Sequence, residues 1–111
     1  MKADRPALAW LTDARHYADQ ARRIAQHGDG DELDMRDYLA IRYCLMVVGE
    51  ALDSIQEHIL ASEPQVPWRQ VIALRHRLVH GYWLIDKDII AEIAQSDTEN
   101  LIAALDRLIQ R

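Results

Sequence analysis

The residues best suited to chemistry lie in one short run, Arg75-His76-Arg77-Leu78-Val79-His80-Gly81-Tyr82. A guanidinium near an imidazole suits phosphodiester chemistry. Arginine stabilises charge that builds on phosphoryl oxygens. Histidine takes a proton from a nucleophile or gives one to a leaving group near neutral pH. On a helix, His76 and His80 are four apart and share a face. Arg75 and Tyr82, seven apart, lie within about 20° of each other around the axis. Arg75 and His80 are separated by a rise of about 7.5 Å and roughly 140° of rotation. They are not stacked neighbours, but a long arginine can reach toward a histidine at the helix end.

The surrounding charge supports an anion site. Residues 66–85 contain no Asp or Glu and hold Arg69, Arg75 and Arg77. The rest of the chain carries ten basic groups against eighteen acidic ones, a net −8. One stretch is thus a basic island in an acidic protein. The whole chain is −5, which argues against a dedicated duplex-DNA binder. The competing explanation is chance clustering on a solvated helix face.

Other reactive-looking groups have simpler readings. Two histidines four apart need further metal ligands, no Glu is placed as in H-E-x-x-H, and no metal site is expected. The acidic run His27-Gly28-Asp29-Gly30-Asp31 lacks the ligand spacing of a calcium loop and reads as solvent-facing. The lone Cys44 lies in an apolar helix and reads as core; it forms no intrachain disulfide and suits a reducing cytosol. Trp10, Trp68 and Trp83 read as core or interface packing. Glu50 interrupts an apolar run just after Gly49. A charge there is costly unless paired, so it is either partly exposed or paired with an arginine, Arg75 or Arg77.

Four long helical segments must position these groups. Asp4 and Pro6 start the first. Leu8, Leu11, Ala14, Ala18 and Ala21 give it one apolar face as far as Ile24 or Ala25. Asp34 caps the second, expected to run to about Ala61, with Leu45, Val48, Leu52, Ile55 and Ile59 as its stripe. Leu39, Tyr43, Met46 and Val47 widen that stripe, so this helix is central or also supplies an oligomer interface. Pro64 stops it. Pro67 begins the third, and Gly81 loosens or ends it. Asp86 caps the fourth, which is expected to break near Asp97 and resume through Leu101 and Leu108. No β-type alternation appears. The expectation is one all-α domain over residues 1–111, an antiparallel bundle of four to five helices. Half the residues are apolar, which excludes disorder. No apolar run approaches a membrane span, and residues 1–5 lack a signal-peptide pattern.

The run Arg75 to Tyr82 resembles the R-x4-H motif of the HEPN superfamily, and its tyrosine is similar to that of the HepT-like branch, the toxin of HEPN–MNT toxin–antitoxin pairs. Arg42-Tyr43-Cys44-Leu45-Met46-Val47-Val48-Gly49-Glu50-Ala51 resembles the family's Arg, apolar residues and Gly-Glu-Ala. Pro64…Val66-Pro67-Trp68 is similar to its Pro-x-x-Pro-Trp lead into the third helix, and His80-Gly81-Tyr82-Trp83…Asp86 to its His-x-Tyr…Asp exit. The resemblance covers about residues 38–108. One departure is His76, where this branch often has Asn. The resemblance implies a HEPN-like bundle and a metal-independent, cytoplasmic endoribonuclease needing no cofactor. Its site would form across a two-fold homodimer. Arg75 and His80 would be catalytic, with His76, Arg77 and Glu50 auxiliary or in contact with RNA. It also implies a nucleotidyltransferase (MNT-type) antitoxin that transfers AMP to Tyr82.

Two functions of different class follow. One is an RNA-cleaving toxin using Arg75 and His80. The other is a non-catalytic helical module that docks a nucleotidyltransferase or binds a nucleotide. A scaffold has no need of both Arg75 and His80, whereas the acidic surface and His76 fit the binding module.

Overall fold

The computed structural model describes residues 5–27, 34–81, 83 and 85–111. The expected start at Asp4, the acidic run from Gly28 to Asp31 and Tyr82 lie outside the described residues. Every long element is helical: α1 (Ala7–His27), α2 (Met35–Asp53), α3 (Glu57–Ala61), α4 (Trp68–His80), α5 (Lys87–Glu92), a π-helical segment (Ile93–Asp97) and α6 (Thr98–Gln110). The chain is all-α, as expected. No helix among the described residues is long and apolar enough to cross a membrane.

Helix α1 packs on both α2 and α6. Its buried face is Leu11, Ala14, Ala18, Ala21 and Ala25, four of them alanines whose small side chains let neighbouring backbones come close. Leu8, expected on that face, is exposed in the first turn.

Helix α2 is the centre of the bundle, packed on α1, α4 and α5. Asp34 caps it as expected, with Oδ1 accepting from the Asp37 amide at 2.7 Å. It contributes to two apolar clusters. One gathers Val48 and Leu52 with Trp68, Leu101 and Leu105. The other gathers Ile41, Cys44 and Leu45 with Leu78 and Ile90. The second helix does not run to Ala61. It ends at Asp53, where the Ser54 amide turns back to the Ala51 and Leu52 carbonyls and the Ser54 hydroxyl donates to the Glu50 carbonyl. The bend buries Ile55 and restarts the chain as α3, which buries Leu60.

The fourth segment also differs from expectation. Asp86 caps α5 through the Asp88 amide, but no break occurs at Asp97. Asp97 has helical dihedrals and makes no side-chain cap. One widened π turn joins α5 to α6, and the buried Thr98 hydroxyl donates to the Ala94 carbonyl at 2.6 Å. The Ser-Asp-Thr signal is spent inside the helix, because burial of Ala94 and Thr98 favours continuity over a capped restart.

Glu63 locks the approach to α4. Its carboxylate is buried and accepts from Gln65, Arg107 and Arg111, while its carbonyl accepts the indole N–H of Trp68 at 2.9 Å. The loop before α4 is thereby tied to α6. The Gln65 amide first, and Arg107 next, hold the Glu63 carboxyl below the ordinary carboxylate range.

Candidate active site

The site is built on the C-terminal half of α4, held by α2. Gly49 makes the close approach possible. A Cβ placed there would lie 2.5 Å from the Cβ of Arg75, well inside contact distance. The absent side chain lets α4 rest directly on α2 at the level of Arg75.

Next to it, Glu50 takes the arginine. Arg75 Nε lies 3.0 Å from Glu50 Oε2. Of the two partners expected for Glu50, the structure uses Arg75. The two side chains are 39% and 31% exposed, so the pair adds on the order of 0–1 kcal/mol to stability. Its larger effect is to fix one edge of the guanidinium. Arg75 does not reach back along its own helix toward His80, because the carboxylate across the helix interface is the better partner for a cation; among the described residues no hydrogen bond joins Arg75 to His80.

A second tie was not read from the sequence. Arg42 Nη2 donates to the Leu78 carbonyl at 3.1 Å. Leu78 is two residues before the end of α4, where carbonyls lack helical partners. Leu78 itself is fully buried. An arginine from α2 and an apolar anchor thus fix the last turn, which carries His80. Gly81 ends the helix, its amide donating to the Arg77 carbonyl at 2.9 Å.

His76 and His80 sit on one exposed edge of that turn, with ring centroids 4.6 Å apart and planes at 44°. Arg77 is also exposed. Trp83 is 68% exposed, so it is not the core residue that the sequence allowed; Trp68 is core, and Trp10 is half-buried beneath the Arg5 guanidinium. Cys44 is buried, and burial pushes its thiol up, in line with a packing role. Among the described residues no three His, Cys, Asp or Glu side chains gather as a metal-ligand cluster.

The sequence profile of the family described as Ribonuclease HepT-like matches residues 14–108. The chain belongs to the HepT-like ribonuclease family. The match takes in most of α1 as well as the whole α2–α4 frame of the site. The chain is similar to a Methanocaldococcus jannaschii protein named "Putative RNase MJ0127", 32% identical over 77 residues, 69% of this chain and 64% of that one. That alignment spans just under two thirds of the relative's length. A second protein of that organism, "Putative RNase MJ0125", is 27% identical over 109 residues, 96% of this chain and 93% of that one. "Probable ribonuclease HepT" of Thermococcus cleftensis is 25% identical over 75 residues, 68% of each chain. No solved structure matches the chain at a significant level.

Proposed function

We propose that this HepT-like chain is a metal-independent endoribonuclease, the toxin of a toxin–antitoxin pair. The observation that carries the reading is the arrangement of Arg75 and His80. Two ties from α2 hold their helix, and both lie at the surface in the acid-free basic stretch. In the reaction, the ribose 2′-oxygen attacks the adjacent phosphorus and forms a 2′,3′-cyclic phosphate. The P–O5′ bond breaks, leaving a 5′-hydroxyl. Arg75 stabilises the charge on the phosphoryl oxygens. Glu50 aims the guanidinium from behind. His80 moves a proton, and Arg77 contributes positive charge to the RNA path.

The site works as a homodimer in this reading. The net −8 outside residues 66–85 repels RNA, and two basic islands facing one cleft offset that field. An exposed apolar stripe supports a partner surface: Met35, Leu39 and Tyr43, spaced four apart on α2, are all about half exposed or more. The regulating partner is a nucleotidyltransferase antitoxin that adenylylates Tyr82. The AMP phosphate then competes with RNA for the same arginines. The protein acts in the cytoplasm, where its RNA substrate is found.

The test is RNA cleavage by purified protein in EDTA, with the product ends analysed. Cyclic phosphate and 5′-hydroxyl ends are expected. Cleavage that stops in EDTA and returns with a divalent ion contradicts the metal-free reaction.

A further inference from the structure

We propose that the cavity between α4, the π turn and α6 is a base pocket. It takes a nucleobase bearing an exocyclic amino group, from a nucleotide beside the cleaved phosphate, and so selects where RNA is cut. The inference rests on the ribonuclease reading and names a substrate feature which that reading leaves open.

The cavity has a volume of about 470 Å³, within the range of about 300–1,000 Å³ common to small-ligand clefts. Its buried lining is apolar, with Leu45 and Val48 from α2 and Leu101 from α6. Its exposed lining is polar, with Gln70 and Arg77 from α4, Asp97 from the π turn and Asn100 from α6. Among the described residues, none of these four side chains makes a hydrogen bond or ion pair within the chain. They are free to meet a ligand. A nucleobase has the matching form: its two faces are apolar and its edge carries donors and acceptors.

The π turn supplies the group that chooses the base. A π turn holds one more residue than an α turn, so positions beyond it are rotated by about 100° from where an unbroken α-helix puts them. Ile93 at its start and Asp97 at its end both line the cavity. A carboxylate repels phosphate and carbonyl oxygens and accepts from amino N–H groups. Cytosine, adenine and guanine carry such a group; uracil has carbonyls on both sides of its one edge N–H. The amides of Gln70 and Asn100 each donate and accept and complete the contacts to the edge. Arg77 suits the phosphate that follows. It lies about 200° around the helix from Arg75, so the cavity is on another side of α4 from the Glu50–Arg75 pair. His80 is three residues from Arg77 and therefore its neighbour on the helix surface. A strand with its scissile phosphate at His80 reaches the cavity by passing Arg77. One chain supplies the whole lining, so a site shared by two copies carries one such pocket in each.

The experiment measures binding of 2′-O-methyl cytidine and uridine oligomers, which lack the attacking hydroxyl, to wild type, Asp97→Asn and Asn100→Ala. It also maps the cuts each protein makes in an RNA of mixed sequence. Helicity is checked by circular dichroism and mass in solution by sedimentation. Wild type is expected to bind the cytidine oligomer about tenfold more tightly, the worth of a hydrogen bond to a charged group, and to cut beside amino-bearing bases. Asp97→Asn, whose amide also donates to a uracil carbonyl, is expected to stay folded, to bind the two oligomers alike and to lose that choice of cut. Asn100→Ala is expected to narrow the ratio. Equal binding of both oligomers by wild type, or a preference that folded Asp97→Asn keeps in full, overturns this proposal. A variant that changes mass in solution and not base preference assigns the cavity to a contact between copies and overturns it as well. Cleavage by wild type with no base preference overturns it and leaves the ribonuclease reading intact. A wild type that cleaves no RNA overturns the reading beneath it.

Discussion

A Cβ on Gly49 would stand 2.5 Å from the Cβ of Arg75. The contact is with the root of the arginine, not its flexible end, so α4 itself has to move to admit even a methyl group. The Gly-Glu pair of α2 therefore has two jobs at one place: Gly49 lets α4 approach, and Glu50 holds the guanidinium that this approach delivers.

Gly49→Ala should test the first job. Overpacking of this kind costs about 1–3 kcal/mol, which exceeds the gain in helix propensity of about 1 kcal/mol from removing glycine. Urea unfolding should show a net loss of stability, and cleavage should fall with it. An alanine variant as stable as wild type would mean that α4 is free to shift.

Glu50→Gln should separate position from stability. The ion pair is partly exposed, so loss of the charge should cost no more than about 1 kcal/mol. Cleavage should fall more than stability does, because Arg75 loses the partner that aims it. Equal activity in the folded variant would deny Glu50 a positioning role.

The Glu63 clamp should appear in the pH dependence of stability. Its carboxyl is held down in the folded chain by Gln65 and Arg107, while an unfolded glutamate titrates near about 4.3. The folded state thus gains from ionised Glu63 above that pH, and the gain disappears as pH falls through the lower folded value. Denaturation midpoints should drop in acid for wild type and drop less for Glu63→Gln, which starts lower at pH 7. Parallel curves would contradict this.

Much of the site's frame was legible in the sequence because its signals are local or break a pattern. Asp34 and Asp86 announce their caps. Glu50 stands out as a charge inside an apolar stripe, which left partial exposure or an arginine partner as readings, and the structure shows both. The Arg42 tie to Leu78 was not legible, since it joins residues 36 apart and a backbone carbonyl leaves no mark in sequence. Glu63 was missed for a related reason. Beside Pro64 it looks like loop surface, and its partner on α6, Arg107, is 44 residues away. The π turn escaped because Ser-Asp-Thr has the composition of a cap, and only packing of Ala94 and Thr98 decides between a cap and continuity.

Tyr82 should accept AMP from the cognate nucleotidyltransferase. Co-expression should add about 329 Da per AMP, one adenylyl group replacing a hydroxyl proton, and Tyr82→Phe should lose that mass. The modified protein should cleave RNA less well than the unmodified one. Modification elsewhere, or equal cleavage, would contradict control through this residue.

The most direct measurement is the cleavage rate of one RNA by wild type, His80→Ala and Arg75→Lys at matched helicity. His80 is exposed at the end of α4, so its removal should leave the fold intact. The account predicts a loss of roughly 10²–10⁴-fold for His80→Ala. It also predicts a clear loss for Arg75→Lys, where the charge stays and the planar fork goes. A folded His80→Ala protein that cleaves like wild type would contradict the assignment of this site.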